Sequence, residues 1–140
     1  IEFLDGDGLH PPENIRKMSA GIPLNDDDRA PWLVRVGNTL AEADKPTAIA
    51  CSALQRKYRD IIRRRAVAPV RFLHLDADRE VLAGRMENRD GHFMPPHLLD
   101  SQLATLQPLE PNELGTVIDI SGPFEVVVDQ AVEYIKRTLA

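Results

Sequence analysis

With 140 residues, of which 43% are hydrophobic and 28% charged, the chain has the size and make-up of one globular domain able to bury a core. A formal net charge of −5 argues against a general nucleic-acid binder, although basic residues crowd into "QRKYRDIIRRR" (Gln55 to Arg65), where they could meet an anion locally. A single cysteine, Cys51, cannot form an internal disulfide, and with no charged leader and no apolar run near ~18 residues the expectation is a soluble, cytoplasmic protein with no membrane partner.

The chain starts at Ile1, without an initiator methionine, inside the first of four apolar runs that read as strands: "IEFLD", "TAIACS" (from Thr47), "VRFLHLD" (from Val70) and "GTVIDIS" (from Gly115). Pro11 and Pro12 suit the first turn of a short helix that Gly21 ends, with Asn14, Lys17 and Met18 on one side. Asn25 or Asp26 caps the next helix, whose apolar stripe is Trp32, Leu33, Val36 and Leu40; Pro31 is tolerable there only in the first turn. After the second strand, Ser52 caps a third helix with Leu54, Tyr58, Ile61 and Ile62 inward and its arginines outward. Asp76 or Asp78 caps a fourth, with Val81, Leu82 and Met86 inward and a stop at Gly91. Leu98, Leu99, Leu103 and Leu106 mark a fifth, and Val127, Val128, Ala131, Ile135 and Leu139 the last. Strands alternating with helices predict an α/β fold with a parallel sheet.

In such a sheet, ligands sit beyond the carboxyl ends of the strands, where Asp5, Ser52, Asp76 and Ser121 fall. "FLDGDGLH" (Phe3 to His10) there admits two chemical readings. A strand ending in DxDG resembles the haloacid-dehalogenase-like phosphatases, with Asp5 as nucleophile, but their motif continues with threonine where Leu9 stands here. Alternatively the pair serves phosphoryl transfer, one carboxylate holding water on Mg²⁺ and the other taking the proton of an attacking hydroxyl. That chemistry needs cations elsewhere. "LAGRMENRDGHFMPPHLLDSQLATLQPLEP" supplies Arg85 and Arg89 on one helix face before a loop of glycine, prolines and histidines, a pattern that reads as a lid closing over phosphates.

"DGDGLHPPENIRKMSAGIPLNDDDRAPWL", "CSALQRKYRDIIR" and "RDGHFMPPHLLDSQLATL" together resemble, in order and spacing, the gluconokinase family of small P-loop kinases. The resemblance implies a nucleoside-monophosphate-kinase-like α/β fold as a single domain, 1–140, with a substrate-side helical segment at 8–45 and a lid at 85–111. It implies ATP-dependent phosphorylation of D-gluconate to 6-phosphogluconate with Mg²⁺, and is compatible with a homodimer. Asp5 would then lie near the magnesium and Asp7 would be the base or hydroxyl anchor. His10, Lys17 and Arg29 would hold gluconate's hydroxyls and carboxylate, with Ser52, Tyr58, Arg59 and Arg63 from the second motif, while Arg85, Arg89 and His92 would serve the lid and phosphates.

Two departures stand out. Gln55 replaces the family's lysine after "CSAL", and no GxxxxGK[ST] occurs. In the family that loop precedes the DGD segment, on the central strand of a sheet ordered 2-3-1-4-5. The expectation is a chain missing its first segment, with a gap of ~9–10 Å between its second and third strands. A non-catalytic sugar-acid-binding remnant is the remaining alternative.

Each residue also has a plainer reading. Asp5 and Asp7 could simply cap a turn, His10 could be an ordinary loop histidine, and Arg29 could pair with Asp26 or Asp28. Arg63, Arg64 and Arg65 suit a solvated helix end, with one of them functional. Cys51 reads as a small buried apolar residue, and Trp32 and Tyr58 as packing.

Overall fold

The computed structural model describes residues 1–87 and 97–139. The chain divides into two compact units, Ile1–Val70 with Gly91–Pro108, and Arg71–Asp90 with Leu109–Ala140. Among the described residues the strands pair as two parallel ladders, one in each unit. These are the neighbours that a 2-3-1-4-5 order assigns to the four segments.

In the first unit β1 (Glu2–Asp5) pairs with β2 (Thr47–Ala50), in register from Glu2↔Thr47 to Asp5↔Ala50. A 3-10 turn, Gly6–Leu9, leads to α1 (Pro12–Ser19), which ends as predicted at Gly21. There φ reaches 78°, Ile22 N–H donates to the Lys17 carbonyl (2.8 Å) and Gly21 N–H to that of Met18 (3.1 Å), the paired bonds of a glycine-terminated helix.

Helix α2 (Asp26–Glu42) opens with a capping box: Asn25 Oδ1 accepts from Asp28 N–H (2.7 Å) and the Asp28 carboxylate from Asn25 N–H (3.0 Å). Pro31 corrects the expectation made for it, because it lies within the helix beyond the first turn. The hydrogen bond it forgoes is one to the Asp27 carbonyl on an exposed face, where water can substitute. Trp32, Leu33 and Val36 are buried as the stripe required, against Tyr58, Ile62 and Ala66 of α3 (Arg56–Ala66). That helix begins at Arg56 rather than after Ser52, with Gln55 at its cap and no side-chain bond there. α5 (His97–Thr105) completes the unit and buries Leu99.

Where α2 meets α3, a Cβ added at Gly37 would stand 2.5 Å from Arg65 Cβ and 2.9 Å from the Ile62 carbonyl oxygen. In an open helix, Gly→Ala gains ~1 kcal/mol. Here overpacking reverses the sign, and Gly37→Ala is expected to cost about 1–2 kcal/mol in urea unfolding. A raised midpoint would show that the helices have room to part.

In the second unit β3 (Phe72–Asp76) pairs with β4 (Gly115–Asp119), from Phe72↔Gly115 to Asp76↔Asp119. α4 (Arg79–Glu87) and α6 (Phe124–Leu139) flank the ladder in sequence. α4 half-buries Val81 and Leu82; the Met86 side chain and the predicted stop at Gly91 lie outside what is described. On α6, Val127, Ala131 and Ile135 are half-buried and Tyr134 is buried, but Val128, predicted inward, is 39% exposed.

Candidate active site

The first unit gathers its polar residues at the carboxyl end of β1 and β2. Asp5, the last residue of β1, is exposed, and its Oδ1 accepts the Asp7 N–H (3.0 Å), so the capping role foreseen as the plainer reading is present. The turn so capped carries Asp7, half-buried, into a cleft lined also by His10, Arg29, Trp32, Ser52 and Leu54, with Ser101 and Gln102 of α5 opposite. Register explains why Ser52 is present. Asp5 sits beside Ala50, so the residues that follow each strand emerge together.

His10 lies in the bend after the 3-10 turn, yet it is not an exposed histidine. It is 6% exposed, with its ring stacked on the Trp32 indole at 3.9 Å between centroids and 18° between planes. Trp32 is held in turn by its Nε1–H donating to the Gly6 carbonyl (2.8 Å). Asn14 Nδ2 lies 3.2 Å from His10 Nδ1 and donates to the Asp28 carbonyl at 2.8 Å. Burial first, and the Arg29 charge second, lower the imidazole pKa to about 4. The ring is neutral at physiological pH.

Arg29 is 9% exposed; it donates from Nη1 to the Tyr58 hydroxyl (3.0 Å), its guanidinium carbon 5.2 Å from the centre of that ring. The tyrosine hydroxyl donates to Asp26, whose other carboxylate oxygen accepts from Lys57. Those two hydrogen bonds, Lys57 foremost, hold the Asp26 carboxyl below the usual carboxylate range, while burial and then the Asp26 bond raise the Tyr58 phenol. Arg29 thus faces two clefts, one with Asp7 and His10 and one with Asp26, Lys57 and Tyr58. Its foreseen pairing with Asp26 runs through Tyr58. Asp28 instead takes Lys17 Nζ at 2.8 Å, and that bond, then the one from Asn25, lowers the Asp28 pKa.

The other arginines expected to meet ligand have partners within the chain. Arg59, predicted to face outward, is 3% exposed and donates to the carbonyls of Ala53 (3.0 Å), Gln107 (3.1 Å) and Pro108 (3.2 Å). It braces the β2–α3 connection against the segment after α5. Arg63 donates to Asp60 at 2.8 Å. In the second unit Arg85 Nη2 donates to the carbonyls of Ile120 (2.9 Å) and Gly122 (3.0 Å), tying α4 to the turn after β4. Arg89 and His92 lie outside the described residues.

Burial, then the nearby Asp7 charge, push the Cys51 thiol up to about 12, so it stays protonated and is no nucleophile. Sequence reasoning missed Asn14, Ser101 and Gln102 as members of the site. Asn14 carried a signal, standing four residues after His10; the α5 pair carried none.

For magnesium, one Asp5 oxygen is committed to the Asp7 amide and the other has no hydrogen bond among the described residues. Those residues include no group of three or more histidine, cysteine, aspartate or glutamate side chains that could hold a metal ion. The one uncommitted Asp5 oxygen is a donor of the kind Mg²⁺ takes, since that ion uses one or two carboxylates and leaves its other positions to water and phosphate. No described helix is long and apolar enough to cross a membrane.

No family model matches the chain. It is 45% identical over 133 residues to the thermosensitive gluconokinase of Escherichia coli (strain K12), covering 92% of this chain and 71% of that one. It is 43% identical over 139 residues to the gluconokinase of Gluconobacter oxydans (strain 621H), covering 96% and 76%. The crystal structure of a gluconokinase from Sinorhizobium meliloti 1021 superposes with a TM-score of 0.86 at 46% identity, over 98% of this chain and 78% of that one. With these likenesses spanning nearly all of its length, including the DGD turn, the Arg29 helix and the α3 motif, the chain belongs to the gluconokinase family.

Proposed function

We propose that the chain transfers the γ-phosphoryl group of ATP to a hydroxyl of D-gluconate, giving 6-phosphogluconate and ADP. The observation that carries this reading is one cleft lined by both the Asp7 carboxylate and the buried guanidinium of Arg29, in a chain of this family. A sugar acid needs both. Arg29 offers a desolvated cation for the substrate carboxylate, and Asp7 an acceptor for the proton of the attacking hydroxyl. As the hydroxyl oxygen bonds to the γ-phosphorus, its proton passes to Asp7, the bond from phosphorus to the bridging oxygen breaks, and ADP leaves.

Ser52 and the neutral His10 ring supply hydrogen bonds to the remaining oxygens, and Tyr58 orients Arg29. Lys17 acts through Asp28 and Arg59 through the frame it braces, while Arg63 pairs with Asp60 on its own helix. Asp5 would hold Mg²⁺ by its remaining oxygen; the ion, when bound, offsets phosphate charge. Arg85 orders the turn after β4 with Nη2, and Arg85, Arg89 and His92 keep the phosphate role that the family resemblance implies.

A coupled ADP-release assay on the full-length protein, with the P-loop segment the family places before the DGD turn, offered gluconate, shikimate and a nucleoside monophosphate in turn, tests the reading. Turnover with gluconate alone is expected. Turnover with either of the others, and none with gluconate, would overturn it.

A further inference from the structure

Asn14 is 2% exposed and His10 6%, and hydrogen-bond chemistry decides the direction of the contact between them. The Asn14 amide sets Nδ2 2.8 Å from the Asp28 carbonyl oxygen and 3.2 Å from His10 Nδ1. A main-chain carbonyl only accepts, so the group facing it is the NH₂; turning the amide over would press oxygen against oxygen. The second N–H of that NH₂ is then the one directed at the imidazole, and Nδ1 can only accept. A proton on Nδ1 would place two donors head to head. The Trp32 indole, anchored through Gly6, holds the ring plane.

We infer that Asn14 is a positioning residue for substrate recognition: it holds His10 as the neutral tautomer protonated on Nε2, and that N–H donates to a hydroxyl or carboxylate oxygen of the acceptor in the cleft shared with Asp7 and Arg29. Among the described residues nothing takes a hydrogen bond from Nε2, although the ring lines the cleft. Among the described residues, the charged groups that line the cleft with the imidazole are Arg29 from α2 and Asp7 from the turn, with the Lys17–Asp28 pair beyond Asn14. An imidazolium beside Arg29 would be repelled. A neutral ring supplies a donor without a second positive charge, and burial keeps it so. The substrate half of the inference rests on the gluconokinase reading; the tautomer half does not.

Long-range ¹H–¹⁵N correlation of the histidine rings in the full chain tests it, with His10 assigned by the signal lost in His10→Gln. The expected pattern is a bare Nδ1 and a protonated Nε2 that do not titrate between about pH 5.5 and about 8. In calorimetry with gluconate, Asn14→Leu should bind about three- to tenfold more weakly, the loss of one oriented neutral hydrogen bond. His10→Gln, which keeps an amide donor, should bind more tightly than His10→Leu. Protonation of Nδ1, or equal affinities for the glutamine and leucine variants, would overturn the inference. The wild-type spectrum and the His10 pair decide it even where Asn14→Leu does not fold. If the unaltered chain binds no gluconate, the substrate half falls with the kinase reading, and the spectrum alone decides the tautomer.

Discussion

Asp7→Asn in the full chain is expected to lower kcat with gluconate by ~10²–10⁴-fold, the range for removing a general base, while KM changes little. Asparagine keeps the volume and can still accept a hydrogen bond from the substrate hydroxyl, but it cannot take the proton. The turn should survive, because the bonds that shape it use the Asp7 main chain: its N–H donates to Asp5 Oδ1 and its carbonyl accepts from His10 N–H (3.3 Å). Steady-state kinetics beside a thermal melt separate the two effects. Near-normal turnover in a folded variant would remove Asp7 from the chemistry.

The second large effect is expected at Arg29. Arg29→Met, which keeps the aliphatic bulk and removes the charge, should raise the KM for gluconate by on the order of 10²-fold or more and lower kcat less. A buried, hydrogen-bonded charge pair that loses one partner costs ~2–5 kcal/mol, and ~1.4 kcal/mol is tenfold in affinity. Arg29→Lys should recover little of this, since an ammonium cannot both satisfy the Tyr58 hydroxyl and meet a carboxylate with two parallel N–H groups. An unchanged KM would place the gluconate carboxylate elsewhere. The loss should persist at raised salt, because Arg29 is shielded from solvent.

These expectations draw unequally on sequence and structure. The DGD turn, the Asn25 cap, the glycine stop of α1 and the apolar stripe of α2 were legible because each depends on neighbours a few residues away. Family membership was legible for a related reason, three motifs in register along one chain. Arg59 was not. Outward by helical period, it is buried because three carbonyls, two of them from Gln107 and Pro108, converge on it. Pro31 was misjudged because its tolerance was tied to the first turn alone, whereas the carbonyl it frees is that of the exposed Asp27.

His10 and Arg29 show the division most clearly. Composition and motif supplied a histidine and an arginine near a pair of carboxylates, with the types of chemistry they permit. Which proton the histidine carries, and which N–H groups the arginine has left to offer, followed only from Trp32 and Tyr58 arriving beside them and from the Asp28 carbonyl that orients Asn14. Local pattern by itself determined the helices, the strands and the stock of charges, since backbone periodicity and capping act over one or two turns. Tertiary structure decided which polar groups were desolvated and which donors were already committed, because those depend on contacts between segments far apart in the chain.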